Sequence, residues 1–103
     1  MHYVYVLTNS KGSFYVGYTA HLRRRLAEHQ EGLGGFTRGK ERKLVYYEAY
    51  ASGSDARRRE AALKQSSQAR RWLRERTRDS KARVLEELSA GEALNRSPSK
   101  RRP

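Results

Sequence analysis

Three short runs of β-branched and aromatic residues stand out in an otherwise polar, basic chain: HYVYVLT at 2–8, FYVGY at 14–18 and KLVYYEAY at 43–50. They restrict the fold more than any other feature, because three strands make only a small sheet, and such a sheet needs helices to complete a core. The first run is apolar on both faces, the pattern of a central strand. Asn9-Ser10-Lys11-Gly12-Ser13 between the first two runs is a turn cluster, so the N-terminal segment reads as a β-hairpin.

The segments between and after the strands read as helices. Thr19 is a plausible N-cap for a helix from about Ala20 to Gln30, closed by Gly32. The Gly-rich, basic stretch 32–41 reads as a loop. Ser52 to Asp55 offers a capping-box-like helix start, with the helix running to about Lys64. A further helix is expected from about Gln68 to Thr77. Val84, Leu85 and Leu88 predict one or two more helical turns after Ser80. The expected order β-β-α-β-α-α defines an α+β domain with a small three-stranded antiparallel sheet flanked by helices. Its boundaries are expected at 1–78 for the sheet-containing domain and 79–90 for a C-terminal helical extension. Residues 91–103 are expected to form a disordered basic tail.

Charge narrows the function. Lys and Arg outnumber Asp and Glu by 23 to 11, for a net charge of +12. Such an excess concentrates polyanions and, through counterion release, attracts phosphate backbones irrespective of sequence. Nucleic acid is therefore the expected partner. A membrane is not, since there is no long apolar run and the basic helices lack an apolar face for the interface. The chain has no cysteine, which removes disulfides, zinc fingers and thiol catalysis together, so no zinc is expected. No charged leader precedes the first strand, and a cytoplasmic location is expected. Gly39-Lys40 is followed by Glu41 rather than Ser or Thr, so there is no P-loop. His2, His21 and His29 do not have the spacing of a metal-ligand set.

Helical geometry singles out charged residues where a core should be. Residues three, four and seven apart share a helix face. Leu22 and Leu26 define the inward stripe of the first helix, with Arg25 and His29 in it or at its edge. Ala56 and Leu63 define that of the second, with Glu60 between them and Arg57 and Arg58 outside. An inward charge needs a partner. One solution is a structural Arg25–Glu60 ion pair. The other is a phosphate site, with Glu60 on a divalent cation, Arg25 on phosphate oxygens and His29 moving a proton. Tyr5 and Tyr15, on adjacent strands of the hairpin, would place two hydroxyls beside them.

Tyr3-Val4-Tyr5, Tyr15-Val16-Gly17, Arg25, His29 and Glu60 together resemble, in order and spacing, the GIY-YIG nuclease superfamily, most closely its small stand-alone bacterial members. The resemblance covers the first two-thirds of the chain. Tyr3 replaces the first glycine of the motif, and Val4 and Val16 replace isoleucines. The asparagine that some larger members carry after the glutamate helix has no counterpart here, since Asn95 falls in the expected tail. The resemblance implies a divalent-metal-dependent endonuclease acting on phosphodiester bonds. DNA is favoured over RNA, in branched, damaged or single-stranded form. A non-catalytic DNA- or RNA-binding module on the same fold is the alternative. The implied catalytic set is Tyr5, Tyr15, Arg25, His29 and Glu60. Tyr5 would activate or orient the attacking water, and Glu60 would be the one protein carboxylate on Mg²⁺ or Mn²⁺. Gly17 would allow close approach of substrate. Thr37, Arg38 and Lys64, with the basic Arg23 and Lys40, are the expected substrate-binding positions.

Overall fold

The computed structural model describes residues 1–30 and 41–96, with side chains through residue 90. Its elements run β1 (His2–Asn9), β2 (Phe14–Thr19), α1 (Leu22–Gln30), β3 (Arg42–Tyr50), α2 (Gly53–Gln65), α3 (Ser67–Arg76) and α4 (Arg78–Arg96). The strands form one antiparallel sheet in the order β2-β1-β3. The central place of β1 accounts for its two apolar faces, since Val4, Tyr5, Val6, Leu7 and Thr8 are all buried.

Local chemistry fixes the hairpin. The Asn9 side chain accepts hydrogen bonds from the backbone N–H groups of Lys11 and Ser13, both at 3.0 Å. Gly12 occupies the left-handed region at φ 86°, which a side chain would disfavour. On the other side of β1, the register with β3 shifts between Val6, which faces Tyr46, and Leu7, which faces Leu44. Val45 is thus the extra residue of a bulge.

Alternation along the strands divides the sheet into two faces. Val4 and Val6 of β1 and Val16 of β2 meet Ala56 and Leu63 of α2 and Leu73 of α3 in the main core. On the same face α4 reaches over, with Lys81 above the ring of Phe14 and Glu87 paired with Lys43. Val84 and Leu88 are its buried residues among the described side chains. Ser66 separates α2 from α3 by serving both: its N–H donates to Ala62 O at 2.9 Å and its Oγ accepts from Ala69 N at 3.1 Å. Thr77, buried and bonded through Oγ1 to Leu73 O at 2.8 Å, marks the junction of α3 and α4.

Several sequence expectations need correction. The first helix begins at Leu22; Thr19 lies ahead of it and accepts from His21 N at 3.0 Å. Ser52 is the N-cap of α2, but Asp55 pairs with Arg58 instead of closing a reciprocal box. Most substantially, α4 is no short extension. It is a 19-residue helix that contacts both β3 and β1, and the tail expected from residue 91 begins inside it. The apolar i, i+4 pair Val84 and Leu88 anchors it to the sheet. The Ala-, Glu- and Leu-rich sequence that follows continues the helix by propensity, after the apolar stripe has ended. Residues 97–103 lie outside the described residues. Among the described residues, no helix is long and apolar enough to cross a membrane.

Candidate active site

The second face of the sheet carries the chemistry. By register it displays Tyr3, Tyr5 and Leu7 of β1, with Thr19, Gly17 and Tyr15 opposite on β2 and Ala49, Tyr47 and Leu44 on β3. Helix α1 lies on this side: Leu26 and His29 share a cleft with Leu7, Arg42 and Leu44.

Tyr5 is the focus. It is 2 % exposed, and its hydroxyl lies 3.3 Å from Nε2 of His29. The rings of Tyr5, Tyr15 and His29 form a triangle, with centroids 6.3 Å apart for the two tyrosines, 5.9 Å for Tyr5–His29 and 5.5 Å for Tyr15–His29. Both histidine contacts are edge-on, the geometry favoured by aromatic quadrupoles. The Arg42 guanidinium sits 5.0 Å above the Tyr15 ring. Burial, and then the neighbouring Tyr15, push the Tyr5 hydroxyl up to about 12, with Glu60 adding to the rise and Arg25 opposing it. Burial also lowers the His29 pKa below its usual value, helped by the positive charges of Arg25 and Arg42. At neutral pH the site therefore holds a protonated phenol beside a neutral imidazole. With the imidazole proton on Nδ1, Nε2 accepts from the Tyr5 hydroxyl.

Gly17 has a definite reason to be glycine, and it differs from the expected one. It is the cross-strand partner of Tyr5, and the Tyr5 ring lies directly over it. A Cβ at this position would stand 2.4 Å from both Cζ and Oη of Tyr5. The Cβ side of Gly17 is filled by the protein's own tyrosine.

Arg25 and Glu60 do not pair with each other. Arg25 is 47 % exposed and bridges to Glu28 at 3.2 Å, one turn along α1, and α1 has no fully buried residue. The Leu22–Leu26 stripe is only half-buried, so Arg25 at its edge is left at the rim of the site. Glu60 is more enclosed, with its side chain 23 % exposed, and pairs with Lys64 at 3.0 Å. The charges of both residues nevertheless act on Tyr5. Of the expected substrate contacts, Arg23 is exposed on α1 and Lys64 is held by Glu60. Thr37, Arg38 and Lys40 lie outside the described residues.

Two features escaped the sequence reading. Arg42, at the head of β3, completes the positive surroundings of His29; alternation from Leu44 would have placed it on this face. On the opposite face, Glu48 accepts from Arg59 Nε at 3.0 Å, Tyr46 Oη at 2.7 Å and Tyr50 Oη at 2.5 Å. Burial opposes ionisation of Glu48, yet these three donors hold its pKa below the usual carboxylate value.

Besides the His29 imidazole, the candidate donors of the site are hard oxygens, the Glu60 carboxylate and the phenols of Tyr5 and Tyr15. Among the described residues there is no cluster of three or more acidic, histidine or cysteine side chains. One enclosed carboxylate suits a hard divalent cation that retains most of its own water.

The tyrosine pair on the hairpin, the arginine and histidine on the following helix and the glutamate on the next are the residues on which the sequence resemblance rests. The chain belongs to the GIY-YIG catalytic domain family, which it matches over residues 1–76. The matched region ends where α3 ends, so α4 lies beyond it. Curated relatives include a UPF0213 protein of Halobacterium salinarum, 45 % identical over 73 residues that cover 69 % of this chain and 95 % of the relative. A UPF0213 protein of Streptococcus pneumoniae serotype 4 is 47 % identical over 64 residues, 60 % of this chain and 65 % of the relative. Another from Natronomonas pharaonis is 43 % identical over 72 residues, 68 % of this chain and 85 % of the relative. No solved structure matches the chain.

Proposed function

We propose that this chain is an endonuclease that hydrolyses phosphodiester bonds of DNA, with Mg²⁺ or Mn²⁺ held by Glu60. The observation that carries the reading is the convergence on the buried Tyr5 hydroxyl of a neutral His29, a rim arginine and an enclosed carboxylate. A binding module has no need of a protonated phenol hydrogen-bonded to a neutral imidazole.

In the reaction, a water oxygen forms a bond to phosphorus as the bond to the leaving deoxyribose oxygen breaks, and that oxygen takes a proton from solvent. With a hydroxyl pushed up to about 12, Tyr5 is a poor phenolate at neutral pH, so its role is to relay a proton. The water's proton passes to Tyr5 Oη while the Tyr5 proton passes to His29 Nε2, which leaves tyrosine neutral and histidine cationic. Arg25 releases an exposed i, i+3 bridge to Glu28, worth at most about 1 kcal/mol, and turns its guanidinium to the phosphate oxygens. Glu60 would hold the cation in place of Lys64, whose ammonium could then meet a neighbouring phosphate. The cation, when bound, supplies positive charge where the phosphate gains negative charge.

The test compares the wild type with Glu60→Gln on labelled duplex, single-stranded and branched DNA, with and without Mg²⁺ or Mn²⁺. Cleavage should require metal and be lost in the variant, while DNA binding is kept. Calorimetric titration with Mn²⁺ should lose its binding isotherm in the same variant. Metal-independent cutting, or full cutting by Glu60→Gln, overturns the assignment of Glu60. A folded wild type that binds DNA without cutting any form of it overturns the nuclease reading.

A further inference from the structure

Beside the Tyr5 cluster, on the same face of the sheet, an open groove of about 660 Å³ runs between α1 and the strands. Its walls include Tyr3 and Tyr47 from the sheet, His21 just ahead of α1 and Arg23 and Arg24 from its first turn, with Leu44 among its apolar lining. Tyr47 is 50 % exposed, unusually bare for an aromatic ring on a strand. Tyr3 supports it edge-on, with ring centroids 6.0 Å apart and planes at 62°. Among the described residues, none that lines the groove is a carboxylate.

We infer that this groove is a base-stacking subsite that takes one unpaired nucleotide next to the scissile phosphate, so that the substrate is single-stranded or splayed at the point of cutting. The inference rests on the nuclease reading for the word "scissile" and on the groove alone for the rest. An exposed tyrosine face flanked by guanidinium groups is what a base and its phosphate require: stacking holds the one and positive charge the other. Arg23 and Arg24 are both exposed and form no ion pair among the described residues. Position follows from the strand. Tyr3 and Tyr5 project from the same face two residues apart, roughly 7 Å along β1. An occupant of the groove is therefore the neighbour of the group at Tyr5, not a remote part of the same strand. A paired base has both faces covered within the duplex, and exposing one costs unstacking energy that an unpaired base does not incur. Selection for single-stranded or frayed nucleic acid follows from that difference.

The experiment measures metal-free binding of fluorescent oligonucleotides by the full chain, using single-stranded DNA, single-stranded RNA and blunt duplex DNA of one sequence. Tyr47→Ala should weaken single-stranded binding by between about 5-fold and about 150-fold, the range typical for loss of one stacked base. Tyr47→Phe should retain it, and duplex affinity should change less than 2-fold in either variant, about the size of experimental error. An abasic nucleotide walked along the single strand should weaken wild-type binding at one position and have no effect there in Tyr47→Ala. The DNA and RNA arms show whether the sugar matters to a site that reads the base. Equal losses on duplex and single strand, or an abasic penalty unchanged in Tyr47→Ala, overturn the subsite. Because binding is read without metal, a chain that never cuts but passes this test keeps the subsite and loses the nuclease reading. A chain that cuts in a Glu60-dependent way but fails the test keeps the nuclease reading alone.

Discussion

Substituting Gly17 by alanine tests the central packing relation of the site. The new methyl carbon would lie 2.4 Å from Tyr5 Cζ and Oη and 2.9 Å from Cε2, whereas carbon contacts settle near 3.5–4.0 Å. The tyrosine ring must therefore move by at least about 1 Å, or the hairpin must open, and Tyr5 is buried on a central strand. Overpacking of this kind costs about 1–3 kcal/mol. Alanine is otherwise the better strand residue by roughly 0.5–1 kcal/mol, so the clash alone must exceed the net effect. The 3.3 Å contact with His29 changes with the ring, so cleavage should fall together with stability. Urea denaturation of a double-mutant cycle isolates the cause. Gly17→Ala should destabilise the wild type by about 1–3 kcal/mol and should be neutral or stabilising in a Tyr5→Ala background. If it costs the same in both backgrounds, the ring of Tyr5 is not what demands glycine, and the argument fails.

Other consequences are equally open to measurement. Cleavage should decline as pH falls through the lowered pKa of His29, since the protonated ring cannot accept from Tyr5; the midpoint should lie below 6.5, and His29→Asn should remove this pH dependence along with most of the activity. Arg59→Met should destabilise the fold by about 1–3 kcal/mol, because Glu48 is left enclosed with only the tyrosine donors. The sign of the accompanying pH effect is fixed: a carboxylate with a depressed folded pKa adds stability above its unfolded pKa and loses it as pH falls through the folded one. Arg59→Met should therefore show a shallower loss of stability in acid, read from thermal midpoints between neutral and acidic pH. Leu88→Ala should cost about 2–5 kcal/mol in urea denaturation if α4 is an integral part of the core, and almost nothing if it is an appendage.

The sheet was legible in the sequence because its signals are local. Alternation, a turn cluster and β-branched residues announce strands within a few residues, and the two-sided apolar character of 2–8 placed that strand at the centre. The inward stripe of α2 was equally plain, with Ala56 and Leu63 buried and Glu60 between them. What could not be read was which partner each charge would choose. The charges of Arg25 and Glu60 both act on Tyr5, yet each residue pairs with a neighbour on its own helix, because i, i+3 and i, i+4 pairs form without any tertiary approach. The role of Gly17 was hidden for the opposite reason: only the cross-strand register shows that Tyr5 lies over it. The full length of α4 was missed because the sequence after Leu88 carries no apolar periodicity.

That register also explains how so small a chain can hold a polar site beside its core. Tyr5 gives the sheet a buried aromatic body, which needs Gly17 for room, and presents a single hydroxyl to His29 at the protein's edge. The burial that helps to stabilise the fold is the same burial that keeps the phenol protonated and the imidazole neutral. The cationic groups of Arg25 and Arg42 lower the His29 pKa further, and on the proposed reading both would face an incoming phosphate. A bound phosphate would partly offset those charges and so raise the affinity of His29 for a proton. Substrate binding and proton acceptance are then coupled in the favourable direction. The imidazole is poised to be neutral before the polyanion arrives and becomes a stronger base once it is in place.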